Sequence, residues 1–278
     1  MMFINILMII KEIKAKSCLT KSKLTDYVIN PYTGCEHACK YCYAVFIKRF
    51  QDIKEDWGEF AYVKTNCVEL LEKELRKAKP GNIWLSSVCD CYQPIEKKYG
   101  LTRKILELLS KLEFKDKFTI EILTKSSLVK RDFGLIKKFG KNLELGMSLG
   151  ILDDKTAEKI EPNASRPSER LKTLKEAHEL GIRTYGFISP VMPGLINLDE
   201  VFKKMKEAKV EYVWVELLNI RKSTLDRLFP FIRKEFPEKL EDFENMVENY
   251  DEYVLGIRNQ VRELEKKYGL NVKEVVVH

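Results

Sequence analysis

The sequence lacks a long apolar segment. Its apolar N-terminal stretch, Met1 to Ile10, contains Asn5 and is about half the roughly 20 residues that a membrane span requires. The stretch also lacks the basic start and the small-residue cleavage site of a signal peptide. We therefore interpret it as a first strand, and we expect a cytosolic protein with no membrane partner.

Internal repeats, low-complexity segments and Gly/Ser linkers are absent as well. A chain of 278 residues, 45% of them hydrophobic, can bury a sizeable core and suits one large α/β domain better than several small ones. A large excess of one charge is also absent, because 49 basic residues stand against 42 acidic ones and the net charge is +7. This balance permits a nucleic-acid partner but does not demand one.

The cysteines, which number seven, do not suggest a disulfide framework. Three of them, Cys35, Cys39 and Cys42, lie together in one short loop. This clustering favours a metal centre in a reducing compartment. We expect Cys18 and Cys67 to be structural.

Short apolar runs alternate with longer amphipathic segments through the first 222 residues. The alternation is typical of parallel βαβ units. Six units predict an α/β fold, a partial (β/α)6 TIM-type barrel over residues 1–222, with a doubly wound open sheet as the alternative. The predicted strands are 27–30, 83–88, 119–124, 143–149, 183–188 and 212–217, and the predicted helices are 68–78, 102–112, 128–139, 167–180 and 198–208.

The pattern changes after residue 222. Segments rich in Glu and Lys predict three further helices, at 225–234, 240–250 and 253–267, followed by an apolar tail at 272–277. We therefore expect residues 223–278 to form a C-terminal helical extension packed on the barrel.

The cysteine loop directly follows the first predicted strand of the barrel. Cys35 and Cys39 are separated by three residues, and Cys39 and Cys42 by two. Pro31 and Gly34 mark the segment as a loop. An iron–sulfur cubane with four cysteine ligands is closed, whereas three ligands leave one iron open to a small molecule.

The main alternative for this loop is a zinc site with His37 as the fourth ligand. Zinc sites usually draw paired ligands from two separate turns. The nearest downstream pair, Cys89 and Cys91, is only one residue apart, and His37 lies two residues from each flanking cysteine. The spacing therefore favours a cluster, with a non-catalytic zinc or redox-sensing iron–sulfur protein as the alternative.

The C-x3-C-x-aromatic-C pattern, with Tyr41 at the aromatic position, resembles the signature of radical S-adenosylmethionine (SAM) enzymes. Further segments resemble the spore photoproduct lyase-like branch of these enzymes, namely residues 29–35, 90–96, 123–126, 147–149, 161–164 and 190–195. The resemblance implies a [4Fe-4S] cluster whose unique iron binds SAM and cleaves it reductively to a 5′-deoxyadenosyl radical. It also implies an electron donor, such as a ferredoxin or a flavodoxin.

The resemblance also implies SAM contacts near the ends of predicted strands. Ser87 and Asp90 stand where many of these enzymes bind the methionine amino group, although the usual Gly-Gly-Glu form is absent. Lys125 would pair with the SAM carboxylate, and the hydroxyl of Ser148 would reach the ribose or the carboxylate. Tyr41 is expected to take part in cofactor binding as the aromatic residue of the motif.

Three residues are candidates for a direct part in the radical chemistry. In spore photoproduct lyase a cysteine on the corresponding strand returns a hydrogen atom to the product, which suggests the same role for Cys89 or Cys91. Both would point to one side of an extended segment. Cys91 stands where the branch more usually has proline. The alternative to a hydrogen-donor role is that each cysteine is simply a small buried residue. Tyr43 would act as a radical relay or as a ring that stacks on substrate, or it would simply pack over the cluster.

The sequence does not name the substrate. A nucleic-acid component, for repair or modification of DNA or RNA, is one hypothesis, and a small molecule or a peptide is another. Basic residues that share a face could follow phosphates, and tyrosines could stack on bases. These residues are Lys11, Lys14, Lys16, Lys21, Lys23, Lys125, Lys130, Arg131, Lys137, Lys138 and Lys141, with Tyr32, Tyr43, Tyr92 and Tyr99.

Overall fold

A computed structural model describes residues 8–278 of the protein. Most of the first strand predicted at residues 1–10 therefore lies outside the described residues. The described strands are β1 (Ile9–Ile13), β2 (Leu19–Lys21), β3 (Tyr27–Ile29), β4 (Tyr32–Thr33), β5 (Phe60–Lys64), β6 (Gly81–Leu85), β7 (Phe118–Thr124), β8 (Leu143–Ser148), β9 (Arg183–Val191), β10 (Tyr212–Leu217) and β11 (Val272–Val276).

Helices follow most of these strands. They are α1 (Lys48–Gln51), α2 (Cys67–Lys77), α3 (Glu96–Tyr99), α4 (Leu101–Leu109), α5 (Leu112–Lys115), α6 (Phe133–Ile136), α7 (Asp154–Ile160), α8 (Pro167–Glu179), α9 (Leu198–Glu207), α10 (Lys222–Glu235), α11 (Leu240–Glu248) and α12 (Tyr250–Tyr268). Short 3-10 helices occupy Tyr43–Ile47, Ser127–Asp132, Lys137–Asn142 and Pro237–Lys239.

The chain divides into two compact units. The first contains the described residues up to Ala38 together with Ala44–Glu144, and the second contains Cys39–Tyr43 and Leu145–His278. This division differs from the boundary after residue 222 that the sequence suggested. The assignment of residues 1–222 to a barrel domain and 223–278 to a helical extension stays a prediction.

In the first unit, neighbouring strands run in the order β2, β3, β6 and β7. The pairs β3/β6 and β6/β7 are parallel, while β2 is antiparallel to β3. Every residue of β3 is buried, as expected for a strand that is covered on both faces. Strand β7 alternates buried residues with more exposed ones, as expected for a strand with one face towards the core. A second, smaller sheet contains β1, β5 and β4 in that order.

In the second unit, neighbouring strands run in the order β8, β9, β10 and β11. The pairs β9/β10 and β10/β11 are parallel. The apolar tail predicted at 272–277 is thus a strand of the sheet. Parallel strands interleaved with helices confirm the predicted α/β fold in both units. None of the helices found between residues 8 and 278 is both long and apolar enough to cross a membrane.

Candidate functional site

The cysteine loop lies between β4 and the 3-10 helix that begins at Tyr43. Two tight turns shape its backbone: the amide of Ala38 donates to the carbonyl of Cys35 at 3.4 Å, and the amide of Cys42 donates to that of Cys39 at 3.3 Å. Cys35 and Cys39 are buried, whereas Cys42 is half-buried. The loop therefore presents three thiols from a short, sharply turned segment.

Glycine is required at the start of the loop. Gly34 has a φ of +85°, and a Cβ atom there would lie 2.5 Å from both the ring and the carbonyl oxygen of Phe60 on β5. Gly58 has a φ of +98°, and a Cβ atom at that position would lie 2.5 Å from the Cβ of Ala38. The backbone of the loop thus approaches its support too closely for any larger residue.

The segment after β6 holds the first half of the loop. The amide of Glu36 donates to Oε1 of Gln93 at 2.9 Å, and Nε2 of Gln93 donates to the carbonyl of Gly34 at 3.2 Å. The carboxylate of Glu36 accepts from the amide of Ile95. Nε2 of His37 lies 3.1 Å from Oδ2 of Asp90, so this ring nitrogen faces a buried carboxylate.

Asp90 is the centre of this support. Its Oδ1 accepts from the amide of Tyr92 at 2.8 Å and from the hydroxyl of Thr124 at 2.7 Å, and its Oδ2 accepts from the amide of Lys125 at 2.7 Å. Burial alone would raise the pKa of Asp90, but the adjacent His37 and these hydrogen bonds lower the pKa to about 2. Asp90 thereby joins the cysteine loop to the end of β7, and its predicted contact with SAM stays a prediction.

A buried ion pair holds the second half of the loop. The hydroxyl of Tyr41 donates to Glu161, whose other oxygen pairs with Arg170. Arg170 is 1% exposed and donates from Nη1 to the carbonyl of Ser148 at 3.1 Å and from Nε to that of Ser165 at 2.7 Å. Burial and the nearby Glu161 raise the pKa of Tyr41 well above its ordinary value, so the phenol stays protonated and donates.

Two predicted cofactor-binding residues, Tyr41 and Ser148, are therefore connected through the same network. The hydroxyl of the buried Ser148 donates to the carbonyl of Ser189 on β9 at 3.4 Å. Sequence reasoning did not identify Glu161 or Arg170 as functional residues. The only signal was that Glu161 opens one of the segments, 161–164, that resemble the lyase-like branch.

The turn after β6 gathers Ser87 and Cys89 around Asn30. Nδ2 of Asn30 lies 3.5 Å from Oγ of Ser87, and its Oδ1 lies 3.8 Å from Sγ of Cys89. The thiol of Cys89 also lies 3.4 Å from Oγ of Ser86, and Nζ of Lys64 donates to the carbonyl of Asn30 at 2.8 Å. Burial raises the pKa of Cys89 to about 11.

The prediction that Cys89 and Cys91 share one side of an extended segment is wrong. Strand β6 ends at Leu85, and Ser86 has a φ of +71°, so the chain turns before it reaches either cysteine. Cys89 is half-buried, while Cys91 is 0% exposed and its carbonyl accepts from the hydroxyl of Thr102 at 2.6 Å. Of the two thiols, only that of Cys89 retains any exposure.

Several residues that were predicted to contact nucleic acid are buried or are already paired with acidic side chains. Tyr32 and Tyr92 are fully buried, so neither ring can stack on a base. Arg131 pairs with Glu96 at 2.7 Å and Lys11 pairs with Glu55 at 2.6 Å, so both charges are already matched. Lys14, Lys16, Lys21, Lys23, Lys130, Lys137, Lys138 and Lys141 are exposed.

A family model described as the radical SAM superfamily matches residues 29–208. The chain belongs to the radical SAM superfamily. An uncharacterised protein of Methanocaldococcus jannaschii is 35% identical to it over 270 residues, which cover 96% of this chain and 97% of that protein. The family assignment confirms the resemblance that the cysteine spacing and its aromatic residue suggested.

Solved structures of spore photoproduct lyase have the same fold as this radical SAM protein. One, complexed with dinucleoside spore photoproduct, has a TM-score of 0.71 at 14% sequence identity, covering 96% of this chain and 82% of that one. Another, a variant with bound AdoMet and dinucleoside spore photoproduct, has a TM-score of 0.68 at 14% identity, covering 97% and 82%. The similarity confirms the predicted radical SAM fold.

Radical SAM proteins typically use a [4Fe-4S] cluster and SAM. The donor set of the cysteine loop fits such a cluster, because the loop carries three cysteines and thiolates are the usual ligands of iron–sulfur clusters. Each thiolate of a cluster binds a different iron, so the three need not meet at one point. Within residues 8–278, no three His, Cys, Asp or Glu side chains are arranged to hold a single metal ion.

The remaining cysteines of this radical SAM protein form a disulfide. Cys18 and Cys67 are bonded to each other with their Cα atoms 5.2 Å apart. The bond gives both residues a structural role, as predicted, but the pairing itself departs from the expectation that the cysteines favour a metal centre in a reducing compartment over disulfides.

Proposed function

We propose that Cys35, Cys39 and Cys42 hold a [4Fe-4S] cluster with which the protein cleaves SAM reductively. When bound, this cluster would supply the electron that splits SAM into methionine and a 5′-deoxyadenosyl radical. The observation that carries the proposal is the support of the loop. Residues around Asp90 fix the first half of the loop, and the Tyr41–Glu161–Arg170 network fixes the second half, so the segment that carries the three cysteines is held on both sides.

The SAM contacts that we propose are Tyr41, Ser87, Asp90, Lys125 and Ser148. The backbone amide of Lys125 is fixed by Asp90 at the end of β7. The position of the Lys125 backbone is therefore defined, and its ammonium group could pair with the SAM carboxylate. Ser148 lies at the end of β8, and Ser87 lies just beyond the end of β6. Ligands of α/β folds bind outside the carboxyl ends of parallel strands, which supports this choice of residues.

We assign the hydrogen-donor role to Cys89 in preference to Cys91. A donor must hold a hydrogen atom at neutral pH, and a pKa of about 11 keeps the thiol of Cys89 protonated. Cys91 also stays protonated, because burial raises its pKa well above the ordinary value, but its full burial favours a packing role. Tyr43, next to Cys42 in the chain, is the proposed relay or stacking residue.

For the substrate, we propose a nucleic-acid component, so that the reaction would be a repair or modification reaction. Two observations support this choice. The similar structures of spore photoproduct lyase contain a dinucleoside photoproduct, and exposed lysines of this chain at positions 14, 16, 21 and 23 are available for phosphate groups. We further propose that an electron donor such as a ferredoxin or a flavodoxin reduces the cluster. The proposed location is the cytosol, where the cluster is protected.

Metal analysis of protein purified without oxygen tests the cluster directly. We expect iron and acid-labile sulfide in nearly equal amounts, close to four of each per chain, as the composition of a [4Fe-4S] cluster requires. The variant Cys39→Ala should lose most of both. The double variant Cys18→Ala/Cys67→Ala removes two cysteines outside the loop and should retain both the iron and the sulfide. Stoichiometric zinc in place of iron would support the non-catalytic alternative and refute the proposal.

A further inference from the structure

Strand β11 brings a histidine to the sheet edge at which the strands of the second unit end. Because β9, β10 and β11 are parallel, their carboxyl ends lie at the same edge of the sheet. Val276 of β11 pairs with Glu216 of β10, and His278 follows two residues later. Ser189 lies near the end of β9. Ser189, Glu216 and His278 therefore meet at the edge where α/β proteins bind ligands.

These three residues and Ser148 form a continuous chain of hydrogen bonds. Nε2 of His278 lies 2.9 Å from Oε1 of Glu216. The other oxygen of Glu216 accepts from the hydroxyl of Ser189, and the carbonyl of Ser189 accepts from the hydroxyl of Ser148 at 3.4 Å. The chain thus begins at His278 and ends at a residue for which we proposed SAM contact.

The same histidine contacts the segment that carries the cysteines. Its ring stacks on the ring of Tyr43, with centroids 6.4 Å apart and an angle of 26° between the planes. This separation is within the range of attractive aromatic pairs. Tyr43 directly follows Cys42 in the sequence. His278 is therefore in contact with one proposed participant in the chemistry and hydrogen-bonded, through two residues, to another.

The Glu216–His278 pair differs from the surface ion pairs of the chain. The side chains of Glu216 and His278 are 16% and 23% exposed, whereas those of the exposed pair Lys222 and Asp226 are 87% and 58% exposed. A half-buried carboxylate that accepts from Nε2–H fixes the tautomer and the orientation of the imidazole. The orientation of this ring is consequently set by the protein and not by solvent.

We propose that Glu216 and His278 are positioning residues of the candidate site. Glu216 holds the imidazole of His278 beside the ring of Tyr43. Through Ser189, the same carboxylate fixes the end of β9, whose Ser189 carbonyl accepts from the hydroxyl of Ser148. The inference rests on the proposed function, because Tyr43 and Ser148 matter here as the relay or stacking residue and the SAM contact. It adds two residues that the sequence did not single out.

Calorimetric titration of SAM into anaerobically reconstituted, unreduced protein tests the connection to Ser148. His278→Ala should raise the Kd for SAM about three- to tenfold, the range expected for loss of one hydrogen bond, with unchanged iron content. Glu216→Ala removes two hydrogen bonds and should raise the Kd at least as much. His278→Gln keeps a donor for Glu216 and should fall between the wild type and His278→Ala. Glu274→Gln, an exposed change on the same strand, should bind SAM as the wild type does.

Proton NMR of the unreconstituted protein tests the contact with Tyr43 without any cofactor. The chain has only three histidines, so their ring signals can be assigned by substitution. We expect Tyr43→Leu to remove a ring-current shift from the His278 signal and to leave that of His178 unchanged.

The outcomes separate the inference from the function on which it rests. If the wild type binds SAM and His278→Ala binds it equally well, or if Tyr43→Leu leaves the His278 signal in place, the positioning role is wrong. If the wild type with a full complement of iron does not bind SAM, the proposed function is wrong, and the NMR result still decides whether His278 and Tyr43 are in contact.

Discussion

Asp90 shows how much a single buried carboxylate contributes to the cysteine loop. It accepts three hydrogen bonds and faces His37, and its pKa of about 2 lies below the ordinary value of about 3.9. A lowered pKa in the folded state means that the carboxylate stabilises the protein at pH values above about 4. That contribution is lost as the pH falls from about 4 through 2.

We therefore expect Asp90→Asn to lower the free energy of unfolding by about 2 kcal/mol at pH 7, because the amide cannot replace an acceptor of three hydrogen bonds. Urea denaturation measures the effect, and Asp116→Asn, an exposed change, should alter the free energy by less than about 0.5 kcal/mol. Between pH 4 and pH 2, the difference between Asp90→Asn and the wild type should shrink. A difference that grows as the pH falls would contradict the role assigned to Asp90.

Arg170 gives a second test at the level of a side chain. Arg170→Met removes one partner of a buried pair and leaves Glu161 without its cation, so we expect a loss of about 3–5 kcal/mol in the free energy of unfolding. Arg183→Met is the matched control, since Arg183 pairs with Glu211 at 3.0 Å on the surface and should contribute less than about 1 kcal/mol. Equal losses in the two variants would show that the buried network does not support the loop.

The spacing of the cysteines was enough to predict the candidate metal ligands, because all three lie within eight residues of sequence. The support of the loop could not be predicted in this way. Tyr41 and Glu161 are 120 positions apart, and Glu216 and His278 are 62 apart. A single sequence contains no pattern that links such distant positions, so their contacts become visible only in the folded chain.

Strands and helices were predictable where the hydrophobic period was long and regular. The strand predicted at 212–217 agrees with β10, and the helix predicted at 167–180 agrees with α8 to within one residue. Strands β2 and β4, of three and two residues, are too short to show a period and were missed. The helix predicted at 128–139 is instead a series of short helical pieces, and just beyond it Gly140 adopts a φ of +55°.

The turn that begins the cysteine loop provides a test at the level of an element. Gly34→Ala introduces a Cβ atom 2.5 Å from Phe60 at a φ of +85°, so we expect a loss of stability of about 2 kcal/mol or more and a marked fall in iron bound per chain. Gly100→Ala has a similar φ of +61° with nothing within 4 Å, and it isolates the cost of the backbone conformation, about 1 kcal/mol. Retention of iron equal to that of Gly100→Ala would show that the close approach to Phe60 is not needed.

The strand β11 was the element whose role was least apparent in the sequence. The apolar run at 272–277 predicted a closing tail, yet the segment pairs in parallel with β10 and leads to His278. An apolar run of this length fits a strand as well as a packed tail. Only the pairing partner, supplied by another part of the chain, distinguishes the two.

For the protein as a whole, charge gives a test of the substrate class. If the exposed lysines at positions 14, 16, 21 and 23 contact phosphates, replacing all four with alanine should weaken binding of single-stranded DNA or RNA. The slope of log K against log salt should fall by about one for each contact removed. The variant Lys203→Ala/Lys266→Ala, which changes exposed lysines elsewhere, should bind as the wild type does. Absence of wild-type binding at low salt would remove nucleic acid as the substrate class.

The account depends most on the reductive cleavage of SAM. The decisive measurement is the amount of 5′-deoxyadenosine formed when anaerobically reconstituted protein is reduced with dithionite in the presence of SAM. We predict 5′-deoxyadenosine from the wild type and from Cys18→Ala/Cys67→Ala, and none from Cys35→Ala, Cys39→Ala or Cys42→Ala. Unchanged SAM after reduction of a protein with its full iron content, or cleavage that survives Cys39→Ala, would contradict the central claim.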